Sequence, residues 1–77
     1  MLESALSRAT TMKLTINGES RDFPPSQTIA SLLEILGLAG KRIAVEHNGE
    51  IVPKSRHGQT PLAEGDSLEI VVAVGGG

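Results

Sequence analysis

The chain has no cysteine and only one aromatic residue, Phe23. The missing thiols exclude a disulfide framework, a thiolate metal site and a cysteine nucleophile, and they fit a protein of the reducing cytoplasm. One aromatic side chain cannot form a stacking surface for single-stranded nucleic acid. Because 77 residues leave no room for a second domain, we expect one small domain that is held together by packing alone.

A strong charge of one sign and a long apolar run are also absent. The net charge is −2, so the chain lacks the basic face with which proteins neutralise nucleic-acid phosphates. The longest apolar run, residues 70–74, is far shorter than the ~20 residues of a membrane span. We therefore expect neither a nucleic acid nor a membrane as a partner.

The first eleven residues have the character of an extension. They contain one basic residue, Arg8, and lack the apolar region of a signal peptide. Their apolar residues have helical spacing, but a helix this short is unstable in isolation. We expect residues 1–11 to be disordered and residues 12–74 to form the domain, which starts at Met12.

Two Asn-Gly pairs predict hairpins, because both central positions of a type I′ turn need positive φ. Asn17-Gly18 joins an alternating strand at residues 12–16 to a polar strand at 19–23, which two prolines end and which we place near a sheet edge. Asn48-Gly49 joins an alternating strand at residues 42–47 to a short strand at 51–52. Residues 61–66 then predict a tight reversal.

One helix and one central strand complete the pattern. Apolar residues at i, i+3, i+4 and i+7 predict a helix from Ile29 to Leu36, with Ser26 and Thr28 as candidate caps and Gly37 as its stop. Residues 67–74 are rich in β-branched residues and predict a buried central strand. We expect an α+β fold, a β-grasp or ubiquitin-like roll with a mixed four- to five-stranded sheet packed on one main helix.

The polar residues show no catalytic or metal-binding motif. His47 and His57 have no partner at metal-ligand spacing, and we expect both to be solvated at the surface. Residues 37–42 contain glycines and a lysine, but their spacing differs from that of a phosphate-binding loop and they follow a helix instead of preceding one. We identify no catalytic residue and no metal site, and an enzyme that acts alone is disfavoured.

The predicted central strand runs directly into Gly75, Gly76 and Gly77. A tail without side chains can enter a channel that is too narrow for other residues. Its carboxylate is ionised at neutral pH and inert as an acyl electrophile, whereas adenylation would supply AMP as a leaving group that a sulfur nucleophile can displace. From the glycines alone, a flexible chain end remains the alternative.

Five segments together are distinctive: MKLTINGE at 12–19, TIASLL at 28–33, AVEHNGEIVP at 44–53, LAEGD at 62–66 and the terminal Gly76-Gly77. With these segments the chain resembles, from residue 12 to residue 77, the ThiS sulfur-carrier proteins of thiamine biosynthesis. The segment that ends in Ile51-Val52-Pro53 is the more discriminating one, because the other motifs also occur in molybdopterin-synthase small subunits and other ubiquitin-like carriers. Residues 1–11, the third glycine and Lys54, where the family often has arginine, depart from the family pattern.

The resemblance implies that Gly77 is adenylated by a ThiF-like adenylyltransferase, converted to a thiocarboxylate and used as sulfur donor by a ThiG-like thiazole synthase. Gly75 and Gly76 would form the side-chain-free segment that leads Gly77 into the partner's active site. The protein would then be a co-substrate and not an enzyme, monomeric when free and cytoplasmic, with no bound cofactor, while its partner enzymes use ATP and a sulfur donor. The alternatives are a molybdopterin-synthase-like sulfur carrier, a ubiquitin-like protein modifier and a plain interaction domain.

A docking surface is also expected. Val71 and Ala73 point away from the helix side of the final strand and directly precede the glycines. Together with Ile51 or Val52 we expect them to form an apolar patch that a partner enzyme covers. The alternative is that a loop of the same domain covers these residues.

Overall fold

The computed structural model describes residues 11–73. Residues 1–10, which make up nearly all of the predicted extension, lie outside this range, as do Val74 and the three glycines. The first strand begins at Met12, as predicted. The elements in chain order are β1 (Met12–Ile16), β2 (Glu19–Phe23), α1 (Ile29–Ile35), β3 (Ile43–His47), β4 (Glu50–Val52), a 3₁₀ helix (Lys54–Gln59) and β5 (Ser67–Val72).

The five strands form one mixed sheet in the order β2-β1-β5-β3-β4. β1 and β5 are parallel, with Thr15 opposite Ser67, and the other three pairs are antiparallel. β5 is central and β2 lies at an edge, and both positions confirm the predictions. The parallel pair requires a crossover, and α1 lies within the connection between the two hairpins.

Helix α1 has a defined start and a defined end. The Thr28 side chain accepts a hydrogen bond from the Ser31 N–H, and the Ser31 side chain accepts one from the Thr28 N–H, so the two residues form a capping box. Gly37 has φ +76°, and the Leu38 N–H donates to the Leu33 carbonyl at 2.8 Å, which closes the helix as predicted. Ser26 is not the cap but a turn residue with φ +65°.

The core lies between α1 and one face of the sheet. The helix has only seven residues, so its stability depends on packing. Alternate residues of β1 and β5 face it, and together these elements confirm the predicted roll of a mixed sheet on one main helix. The side chains that are fully buried are Leu14, Ile29, Leu32, Val45 and Leu68.

The two predicted Asn-Gly turns also connect the hairpins to β5. Asn17 and Asn48 both have φ +51°, as the turns require. The Asn17 side chain accepts a hydrogen bond from the Ile70 N–H at 2.6 Å and donates to the Ile70 carbonyl at 3.1 Å. The Asn48 side chain accepts from the Ser67 N–H at 2.8 Å. Each asparagine therefore joins a hairpin to the central strand.

Candidate functional site

Strand β5 directs the chain toward the predicted reactive glycines. Leu68 is fully buried and Ile70 is 7% exposed, so β5 is held firmly between β1 and β3. Val72 faces the helix side but lies at the strand end and is 37% exposed. The Ala73 N–H donates to the Arg42 carbonyl at 2.9 Å, which keeps the last described residue bonded to the domain. Gly75, Gly76 and Gly77 lie outside the described residues.

The sheet face opposite α1 carries two exposed apolar side chains. Ile51 is 74% exposed and Val71 is 62% exposed. Val71 lies opposite Ala44 and Ile51 lies opposite Glu46, so β3 separates the two side chains. We call this surface, formed by Ala44, Glu46, Ile51, Glu69 and Val71, the outer patch; it borders a shallow groove of about 170 Å³.

Two of the four predicted docking residues, Ile51 and Val71, lie on the outer patch. The placement of Val52 beside them is wrong, because strand alternation turns it to the other face. Val52 lies opposite the buried Val45 and packs against the core. Ala73 is exposed just beyond the end of β5. Docking itself stays a prediction.

The expectation of two solvated histidines is wrong. His57 is only 6% exposed, because the 3₁₀ helix turns its ring toward the core. Its Nε2 lies 3.0 Å from the Val52 carbonyl oxygen; since a carbonyl only accepts, Nε2 carries the proton. His47 is partly buried, with Nε2 2.7 Å from Asp66 Oδ2. The polar composition around His57 contains no signal of this burial.

Asp66 organises the turn that precedes β5. Burial by itself would raise the pKa of Asp66, but hydrogen bonds from His47, the Ala63 N–H and Asn48 outweigh burial and hold the pKa below its ordinary value. These bonds connect the turn before β5 with the hairpin of β3 and β4. The network accounts for the polar contact of His47 with Asp66, and its role is structural.

Two negative findings apply to the described part of the chain. Within residues 11–73, no group of three or more His, Asp or Glu side chains is placed to hold a metal ion. Within the same range, no helix has the length and apolar character that a membrane span needs.

The sequence profile of the ThiS family matches residues 14–77. The chain belongs to the ThiS family. The matched range includes the three terminal glycines and leaves out the N-terminal residues that depart from the family pattern. The solved structure described below also confirms the predicted β-grasp fold.

Relatives of this ThiS-family chain include the sulfur carrier protein ThiS of Bacillus subtilis, which is 44% identical over 83% of this chain and 98% of that protein. A thiazole synthase of Paramagnetospirillum magneticum is 53% identical over 86% of this chain. The chain spans only about a fifth (20%) of the length of that synthase. A crystal structure of the thiamine biosynthesis protein ThiS from Geobacter metallireducens, 32% identical, superposes with a TM-score of 0.74 over 86% of this chain and 100% of that one.

In this ThiS-family domain, two asparagines make side-chain hydrogen bonds that the sequence does not predict. The sequence predicts Asn17 and Asn48 as turn residues, and the structure shows that their side chains also bind β5. The Asn-Gly motif indicates the positive φ but not the partner, because Ile70 lies 53 residues from Asn17 along the chain. Only the parallel pairing of β1 with β5 brings them together.

Proposed function

We propose that this ThiS-family chain is a sulfur carrier in thiamine biosynthesis, with the Gly77 carboxylate as the group that bears the sulfur. The observation that carries the proposal is the family match, which extends through the three glycines. The chain acts as a co-substrate in this scheme, and its own residues supply no catalytic group. A ThiF-like adenylyltransferase and a thiazole synthase supply the chemistry.

In this scheme the Gly77 carboxylate becomes a thiocarboxylate in two steps. An oxygen of the Gly77 carboxylate attacks the α-phosphorus of ATP, and pyrophosphate leaves as the acyl-adenylate forms. A sulfur nucleophile such as hydrosulfide then attacks the acyl carbon. The bond to AMP breaks, and a thiocarboxylate remains after loss of a proton. The first step requires that the partner enzyme holds a carboxylate oxygen of Gly77 within about 3 to 3.5 Å of the α-phosphorus, and the second requires that the sulfur nucleophile lies at a similar distance from the terminal carbon.

The folded domain fixes the point at which the C-terminal tail begins. The buried strand β5 and the bond from Ala73 to Arg42 hold the chain until four residues before Gly77. Four extended residues reach at most about 14 Å, so a partner must approach the end of β5 closely. Gly75 and Gly76 add no side chains along this path, which suits a narrow entrance to an active site.

A thiazole synthase is the acceptor enzyme in this proposal. In Paramagnetospirillum magneticum, a segment similar to this chain forms about a fifth (20%) of one thiazole synthase chain, so a carrier-like domain and a synthase are already covalently joined there. This relative favours sulfur transfer to a thiazole precursor over transfer to a pterin or to a lysine amine. The exposed Ile51 and Val71 of the outer patch, with Ala73, are the residues we propose for docking.

Mass spectrometry of the intact protein tests the proposal. Incubation with a ThiF-like enzyme, ATP and sulfide should raise the mass by the difference between one sulfur and one oxygen atom. Deletion of Gly77 moves the carboxylate by one residue, about 3.5 Å, and should nearly abolish this gain. Gly76→Val should act similarly by widening the tail. Gly58→Val is the matched control, because, apart from its own chain neighbours, a Cβ at Gly58 has no other atom within 4 Å.

Three results would count against the proposal. A full mass gain by the Gly77 deletion would show that the terminal carbon is not the reacting atom. A product in which the wild-type chain is joined to a lysine amine would identify a protein modifier. Sulfur transfer to a pterin precursor, and not to a thiazole precursor, would identify the molybdopterin pathway.

A further inference from the structure

The outer patch contains a pair of like charges on neighbouring strands of the sheet. Glu46 of β3 and Glu69 of β5 lie directly opposite each other in the antiparallel register. Both are exposed, and like charges at directly opposed positions are destabilising. Among residues 11–73, the ion pairs are Lys13 with Asp22 and His47 with Asp66, so no cation of the described residues forms an ion pair with either glutamate.

The two exposed apolar side chains flank this pair. Ile51 lies opposite Glu46, and Val71 follows Glu69 by two residues on the same face. All four side chains border one groove. A sheet face that combines exposed apolar side chains with an unfavourable charge pair is less stable alone than when a complementary surface covers it.

We propose, on the basis of the proposed function, that the outer patch binds a surface of the thiazole synthase on which an arginine or lysine stands between apolar side chains. The cation lies between Glu46 and Glu69 and removes their repulsion. The apolar neighbours cover Ile51 and Val71 and exclude water, which strengthens the charge interaction. An arginine suits the position best, since its planar group can donate to two carboxylates at once.

Charge decides against two other occupants, a second copy and an acidic surface. A second copy of this chain, placed face to face by two-fold symmetry, would bring four glutamates together. An acidic partner surface would meet the same repulsion. The position along the chain agrees with a single partner, because Val71 lies six residues before Gly77 and six extended residues span at most about 22 Å. One enzyme can therefore hold both the outer patch and the tail.

The test measures binding and stability on the same variants. Glu46→Gln, Glu69→Gln and the double variant keep the side-chain size and remove the charge. The double variant should unfold at a higher urea concentration than the wild type, and it should bind purified thiazole synthase on the order of tenfold more weakly at low salt. The wild type should lose affinity as salt rises, and the double variant should lose less.

Glu34→Gln is the matched control, since Glu34 is an exposed glutamate on α1, in the other layer of the domain. It should change neither the affinity nor its salt dependence. Val71→Lys tests the apolar part and should weaken binding as well. A combination of greater stability with weaker binding is the expected signature, because a merely structural role for the glutamates would couple loss of binding to loss of stability.

Binding is measured on the unmodified chain, so its result does not depend on thiocarboxylate formation. If the double variant binds the synthase as tightly as the wild type at low salt and at high salt, the inference is wrong. It is also wrong if the wild type does not bind the synthase. A wild-type dimer in sedimentation that the double variant abolishes would identify a second copy as the occupant and also overturn it. Failure of the proposed function appears separately, as a wild-type chain that never gains sulfur mass.

Discussion

The two hydrogen bonds between the Asn17 side chain and Ile70 should stabilise the fold by an amount that a single substitution can measure. Strand β1 ends at Ile16, so the Asn17 amide takes the place of the next backbone partner for Ile70. Asn17→Gly removes both bonds and still permits the φ of +51°. The Ile70 N–H and carbonyl are then left without these partners beside a buried side chain.

The expected loss follows from these two bonds. Each contributes about 0.5 to 1.5 kcal/mol net, so Asn17→Gly should lower the free energy of unfolding by about 1 to 3 kcal/mol. With an m-value of about 1 kcal/mol per molar urea for a small domain, the midpoint should fall by about 1 to 3 M. Far-UV circular dichroism is the suitable signal, because the chain has no tryptophan or tyrosine. The Ile70 amide should also exchange faster with solvent deuterium.

Ser26→Gly is the matched control for this experiment. Ser26 also has a positive φ, +65°, and the substitution likewise introduces glycine into an exposed turn. We expect a change of less than about 0.5 kcal/mol, because relief of the left-handed conformation offsets the added freedom of the unfolded chain. If Asn17→Gly changes the stability no more than Ser26→Gly does, the two side-chain bonds contribute nothing and the reasoning is refuted.

Three further outcomes are expected. Removal of residues 1–11 should change the free energy of urea unfolding by less than ~1 kcal/mol, and a larger loss would show that they pack on the domain. Leu68→Ala should cost about 2 to 5 kcal/mol in the same assay, because Leu68 is fully buried in the central strand; a cost below ~1 kcal/mol would contradict that packing. The pKa of Asp66 is lower in the folded state than its ordinary value of 3.8, so its ionised carboxylate stabilises the fold at any pH above 3.8. This stabilisation is lost as the pH falls through the folded-state pKa. Asp66→Asn should therefore unfold with a weaker pH dependence in acid than the wild type, and equal acid sensitivity would contradict the assigned hydrogen bonds.

Local chemistry was sufficient to predict most of the elements. The two Asn-Gly pairs require positive φ, the alternation at residues 12–16 requires one buried face, and Gly37 ends the helix, whatever surrounds them. Each of these signals acts over a few residues, so each predicts correctly without knowledge of the fold. The position of β5 at the centre followed from its β-branched composition, because a strand with neighbours on both sides has no exposed edge to protect.

The burial of His57 and the placement of Val52 depended on contacts that no local pattern encodes. A polar run of six residues folds into a 3₁₀ helix that brings the His57 ring against the Val52 carbonyl, and β4 is too short for its alternation to indicate a face. The outer patch depends equally on pairing, since Glu46 and Glu69 are 23 residues apart and face each other only through the register of β3 with β5. Turns and strands are determined by short-range sterics and hydrogen bonding, whereas the neighbours of a side chain are determined by which strands pair and in what register.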